Sequence, residues 1–392
     1  MSNTVFNIHD AVLIATAFQS FLFVLLIFFA KRDHHISDFF LIGFFIAQTM
    51  LPIHLLINYG AEFRFVVLEL SPNLFRAFDI AFWLEGPLLL WYTRALLYKD
   101  FRLTPFDSIY LLPAMFYMVY LSATFYSWDN VAKTKFIMEY NEWLAPSFFH
   151  ALEATREVLF IIFGAMCLIE IRRAQRQITH RYSDIEQIDL GWLGFLVIVF
   201  VTLRSWVLII VLIAFAKPDL GVEPFNTMGL TGNYLMFALM SALIFFSLTR
   251  SPIFAGKITK DSGGTAQSDL KVDPAITRRI EQHMLEQKPY LYNRLNLDEL
   301  ANQLSMHPRS LSTTIKQHFE TNFYEFINSY RINEAKSLLS DPSQSDKTIL
   351  EILDASGFNS KATFNAFFKK LVGTTPTEYR ASMQDPDSRA TQ

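Results

Sequence analysis

Seven charged side chains, Arg76, Asp79, Glu85, Glu153, Arg156, Glu157 and Arg204, fall inside stretches that are otherwise apolar. An ionised group in an apolar medium is costly, so such residues face a partner or a polar cavity rather than hydrocarbon. Arg76 and Asp79 are three residues apart, as are Glu153 and Arg156, so each pair can meet on one helix face. Glu85 and Arg204 have no partner close by in sequence, and a pair between the two is one solution. Two chemistries fit these residues. They are internal ion pairs that hold helices together, which is the blander reading, or they line a pocket for a signal ligand. The candidate ligand-sensing residues are Asp79, Glu85, Glu153, Arg156 and Arg204. Gly86-Pro87 beside Glu85 frees a backbone carbonyl and bends its helix.

A second pattern lies towards the C-terminus. Ser305 to Phe319 carries Arg309 and Lys316 and no Asp or Glu. Ala355 to Thr377 carries Lys361, Lys369 and Lys370, again without acid. Elsewhere in residues 275–392 carboxylates are frequent and the net charge is about zero. Two acid-free basic segments in a neutral background are a local positive potential of the kind phosphates require. Catalytic signals are absent: there is no HExxH, no GxxxxGK[ST] and no GxSxG. The nine histidines are scattered, and no enzyme activity, cofactor or metal site is expected.

The elements that position these residues follow from composition. The chain of 392 residues is 52% hydrophobic and only 18% charged, and the apolar excess fills its first 250 residues. Seven runs approach the roughly 20 apolar residues needed to cross a bilayer: 11–30, 39–57, 74–97, 109–126, 148–171, 191–216 and 228–248. Runs such as Phe21–Ala30 are apolar on every face, which belongs in lipid rather than in a small soluble core. An odd number of spans puts the termini on opposite sides. One set of connections holds twelve Lys/Arg and the other five, so the richer set is expected to be cytoplasmic and the N-terminus outside. The one cysteine, Cys167, excludes an intrachain disulfide.

Residues 251–273 are polar with paired glycines and read as a flexible cytoplasmic linker. Residues 274–384 have the amphipathic spacing of a soluble helical domain, and 385–392 read as a disordered tail. Leu297, Leu300, Ala301 and Leu304 form one apolar stripe. His307 is placed to cap a second helix beginning at Pro308, with Leu311, Ile315 and Phe319 on its buried side. A longer helix spans Phe323 to Leu339. A short helix, a turn at Gly357 and another helix from Asn359 or Ser360 to Leu371 then repeat the scheme. The fold class is therefore all-α: a seven-helix transmembrane bundle (1–250) followed by a soluble domain with two helix-turn-helix units.

The segments KPYL (288–291), LNLDELANQLSMHPRSLSTTI (295–315), NFYEFINSYRINEAKSLL (322–339) and GFNSKATFNAFFKKLVGTTPTEYR (357–380) resemble the AraC/XylS family of transcription regulators. Two positions depart from that pattern: Leu353, where a small alanine is usual, and His307, where serine is common. The block LEGPLLLWYTRALLYKDFRLTPFDSIYLLP (84–113) is similar to one found in bacterial regulators that fuse a seven-span region to such a domain. The resemblance implies base-edge contacts to double-stranded DNA from Arg309, Ser312 and Thr313, and from Lys361, Ala362 and Asn365. It implies phosphate contacts from Lys316, Lys369 and Lys370. It further implies a regulator in the bacterial inner membrane, with the lipid bilayer, an unknown signal ligand and a second copy of the chain as possible partners. Three roles for the membrane region stay open at this point: a sensor, a mere anchor, or a transporter or membrane enzyme carrying a DNA-binding appendage.

Overall fold

A computed structural model describes residues 7–30, 34–60, 62–139, 147–184, 190–217, 223–250 and 274–384. The expected linker and tail lie outside these residues. Among the described residues the elements are helical, with one isolated antiparallel bridge between Tyr182 and Asn296. The chain divides into two compact units. The first comprises residues 1–172 and 190–260, and the second comprises residues 173–189 and 261–392.

The first unit contains α1 (Ile8–Ala30), α2 (Ile36–Tyr59), α3 (Phe63–Leu70), α4 (Ile80–Leu97), α5 (Leu112–Ala123) and α6 (Asn130–Glu139). It also contains most of α7 (Ser147–Arg181), together with α8 (Gly191–Ala216) and α9 (Glu223–Arg250). α1 packs on α2 and α9, α2 on α4, and α8 on α9. At Gly86 a Cβ would stand 2.4 Å from the Phe163 ring, so only glycine lets α4 and α7 come this close.

Among the described residues, five stretches are long and apolar enough to cross a membrane: Ile8–Phe29, Ile36–Tyr59, Pro105–Ser127, Gly191–Ala216 and Asn226–Phe245. Two of the seven expected runs do not meet that standard. The run from residue 74 starts as a 3-10 turn, Pro72–Arg76, and its α-helix is only 18 residues long, with Glu85 and Arg94 inside it. The run 148–171 lies in α7, which carries Glu153, Arg156, Glu157 and Glu170. The run 109–126 is apolar enough but not one α-helix. It passes from a 3-10 turn (Pro105–Leu111) through α5 to a second 3-10 turn (Phe125–Ser127), with Pro105 and Pro113 starting the first two pieces.

The second unit holds α10 (Pro274–Glu286), α11 (Leu297–Gln303), α12 (Pro308–His318), α13 (Phe323–Ser340), α14 (Ile349–Ala355), α15 (Lys361–Val372) and α16 (Pro376–Gln384). Its two cores share one helix. Phe323, Phe326 and Ile327 of α13 pack with Leu297, Leu300, Leu311 and Ile315. Ile332, Ala335 and Leu339 of the same helix pack with Ile352, Leu353, Phe364 and Phe368. Each such Leu, Ile or Phe side chain contributes about 1.5–3 kcal/mol on burial. Leu353 is buried in this second core, which is how the structure takes the larger side chain at that position.

The two halves repeat one turn. Met306 N–H donates to the Ala301 carbonyl at 2.8 Å, and Phe358 N–H to the Leu353 carbonyl at 3.1 Å. The residue before each donor is left-handed: Ser305 at φ 50° and Gly357 at φ 86°. At Gly357 a Cβ would lie 2.5 Å from the Tyr290 carbonyl oxygen, so glycine is required there by both backbone and space.

Candidate nucleic-acid interface and buried charge cluster

Helix starts in the second unit are set by side-chain caps. Asn296 and Glu299 form a capping box at α11, as do Thr348 and Glu351 at α14. The His307 imidazole accepts from the Arg309 N–H at 3.2 Å and Pro308 follows it, so histidine does the capping work expected of this position. Ser360 caps α15 by accepting from Thr363 N–H at 3.3 Å. These caps fix where α12 and α15, the second helix of each helix-turn-helix unit, begin.

Both helices bury one face and expose the other. Leu311, Thr314 and Ile315 of α12 are buried, while Arg309 and Lys316 are exposed and Ser312 and Thr313 half-buried. Phe364, Phe367 and Phe368 of α15 are buried, while Lys361, Ala362, Asn365, Lys369 and Lys370 are exposed. All nine residues singled out for DNA contact thus lie off the core face of one of these two helices. Lys370 is engaged: its ammonium donates to Glu325 at 2.8 Å. Burial and the Lys316 ammonium hold the His180 imidazole below its ordinary value, so the end of α7 lies near the first of these helices within the second unit.

Among the described residues of the first unit, six of the seven charges read from the sequence fall into two groups. Arg204 of α8 donates to Glu85 of α4, which also accepts from Gln48 of α2. Glu157 of α7 stands 3.6 Å from Arg204 and 3.0 Å from Arg156, whose guanidinium lies 4.2 Å from the Phe82 ring centroid. In the second group Asp79 meets His54 at 2.9 Å, Arg76 at 3.5 Å and the donating Tyr117 hydroxyl at 2.6 Å. Glu153 lies 3.7 Å from His150. The Arg76–Asp79 and Glu85–Arg204 pairs read from the sequence are both present. Sequence reasoning missed Gln48, His54 and Tyr117, although Gln48 and His54 were visible as polar residues within an apolar run.

A cavity of about 930 Å³ opens beside these groups. Asp79, Glu153, Arg156 and Arg204 line it along with aromatic side chains such as Phe82 and Trp83. Glu85 is not on its wall but lies fully buried behind Arg204. Among the described residues no cluster of three or more His, Cys, Asp or Glu is arranged for a metal ion.

Residues 300–382 match a family profile described as a helix-turn-helix domain. An uncharacterized HTH-type transcriptional regulator of Bacillus subtilis (strain 168), YtdP, is 38% identical over 86 residues, which are 22% of this chain and 11% of that protein. The melibiose operon regulatory protein of Escherichia coli (strain K12) is 30% identical over 90 residues, or 23% of this chain and 29% of that one. The chain therefore spans less than a third of either relative. A solved structure, the C-terminal domain of AraT, a response regulator from Geobacillus stearothermophilus, is 28% identical, with 29% of this chain and 88% of that one covered at a TM-score of 0.24. With two capped helix-turn-helix units on one shared helix and regulators among its sequence relatives, the C-terminal part of this chain is a helix-turn-helix domain similar to those of AraC-type transcription regulators.

Proposed function

We propose that the chain is a membrane-embedded one-component regulator of transcription. Its C-terminal domain reads DNA through α12 and α15, and its first unit binds a signal. The observation that carries the DNA half is the surface of those helices. Apart from Leu371 at the end of α15, their exposed residues are basic, polar or small, and they include no carboxylate, which suits entry into the major groove. Arg309 and Lys361 suit guanine, Asn365 adenine, and Ala362 a thymine methyl, while Lys316, Lys369 and Lys370 suit phosphates.

Embedding in a bilayer is supported by apolar side chains turned outward. Phe18, Phe29 and Phe195 are 65%, 75% and 60% exposed on helices long enough to span. Runs of this kind are unstable in water and at home in lipid. In this reading α4 and α7 serve as additional spans whose charges are paired inside the bundle, the N-terminus is outside, and the C-terminal domain is cytoplasmic. Sensing is supported by the cavity, where Asp79, Glu153, Arg156 and Arg204 stand beside aromatic walls. A signal acts there only by binding two arrangements of the protein unequally.

Mapping the DNA bound by the full chain in cells tests the first half. Discrete peaks that vanish with Arg309→Ala and Lys361→Ala together are expected, and uniform or absent occupancy would refute it. For sensing, Arg156→Ala at the cavity wall should abolish the response of a promoter under those peaks to its inducing condition while the peaks persist. An unchanged response would leave the spans as an anchor.

A further inference from the structure

The second unit contains a segment that its helix-turn-helix pattern does not call for. Tyr182 to Asp184 follow directly on α7, yet they lie in the unit formed by residues 261–392. Tyr182 bridges to Asn296 in antiparallel fashion. The Ser183 N–H and hydroxyl both donate to the Leu295 carbonyl, immediately ahead of α11. The Ser183 carbonyl accepts from Asn328 at 3.3 Å and from Arg331 at 3.2 Å, both on α13. Asp184 accepts from Asn359 at 2.8 Å, in the turn just before α15. Three consecutive residues thus touch the first helix-turn-helix unit, the shared helix and the second unit.

We propose that residues 182–184 dock at the junction of the two helix-turn-helix units as a removable clasp, which fixes their relative orientation and so permits both to engage one DNA together.

Arg331 explains why the seat fits this occupant. Arg331 is 1% exposed, and the carboxylate that acts on its charge is Asp184 of the clasp itself. A buried guanidinium with unmet N–H groups is strongly unfavourable, so its acceptors matter. Tyr290, Tyr292 and Asn293 supply backbone carbonyls, and Asn328 a side-chain oxygen. Ser183 supplies two further acceptors, its carbonyl to one terminal nitrogen and its hydroxyl to the other. With the clasp gone, one terminal nitrogen keeps only Asn328. Ser183 itself is 1% exposed, so the seat closes over it as it would over a core residue. The link through Asn359 extends to Asn293, whose amide donates to it at 2.7 Å, so the clasp closes a ring of contacts around the junction.

The proposal rests on the two-unit reading of DNA, and one experiment separates the two. The full chain in detergent selects its site from random DNA, and affinity is then measured for that site and for a version with one half scrambled. Wild type should prefer the intact site, and equal binding would sink the two-unit reading and the clasp with it. Ser183→Pro removes the N–H and hydroxyl and should lower affinity for the intact site by about tenfold, leaving the half-site affinity unchanged. Equal losses on both DNAs would mean that Ser183 matters only for stability, and no loss would mean that the clasp does nothing; either overturns the proposal. Tyr182→Cys with Asn296→Cys provides a control that does not depend on how the proline variant folds. Its oxidised form should keep the intact-site preference. Failure of the pair to cross-link would show that the clasp is not seated.

Discussion

The Arg204 guanidinium donates to the Glu85 carboxylate, joining α8 to α4 at a point where both side chains are almost wholly buried. Each is the chief counter-charge of the other, with Gln48 and Glu157 as secondary partners. Removing one partner of a buried pair strands the other charge and costs about 3–5 kcal/mol. Glu85→Ala and Arg204→Ala should each lower the melting temperature in detergent markedly, and the double variant should be milder than the sum. Additive losses would show that the two residues do not depend on one another.

For DNA readout, Arg309→Ala and Lys361→Ala should each relax preference at one or two base pairs, costing about 1–3 kcal/mol where the contact is bidentate. Lys369→Ala should weaken binding on all sequences and flatten the salt dependence, because a phosphate contact releases a counterion. Selection from random DNA at two salt concentrations distinguishes these outcomes. An unchanged logo for both base-reading variants would refute the assignment.

Lys370 donates to Glu325, so on the proposed reading a DNA phosphate would have to compete with that carboxylate for it. Glu325→Gln should therefore raise affinity for any DNA by roughly threefold, the scale of an exposed ion pair. The hydrogen bond from Lys370 holds the Glu325 carboxyl below its ordinary value of 4.5, with partial burial opposing. A lowered folded-state value means that the pair's contribution is complete above pH 4.5 and fades as the pH falls through the folded value. Carboxyl chemical shifts followed through that window check the sign. An upward displacement of the Glu325 titration would contradict the pairing.

Orientation is tested by fusions. A reporter active only in the cytoplasm should work after Arg250 and fail between Ser127 and Pro146. The opposite pattern would reverse the topology argued from the Lys/Arg bias.

Most of the second unit was legible in the sequence because its signals are local. Apolar spacing marked α11 to α15, Pro308 and His307 marked one helix start, and Gly357 marked a turn. The matching turn at Ser305 was not legible, since serine carries no left-handed signature although its φ is 50°. The Glu85–Arg204 pair could be anticipated by elimination, as two charges without local partners. The Asp79 group could be only half anticipated: Arg76 is three residues away, but His54 and Tyr117 arrive from α2 and α5 through tertiary packing. The clasp was invisible for the same reason. Ser183 is an unremarkable residue in a polar loop, and its role depends on a carbonyl 112 residues away.

Arg331 reaches carbonyls at Tyr290, Tyr292 and Asn293 from the middle of α13 and covers the turn at Phe358 with its guanidinium, 5.7 Å from that ring. On the proposed reading, a domain tied this way would meet DNA with its two units already oriented, and little ordering entropy would be left to be lost on association. Its calorimetric signature should follow. The heat-capacity change on binding would match the area covered at the interface and carry no contribution from coupled folding.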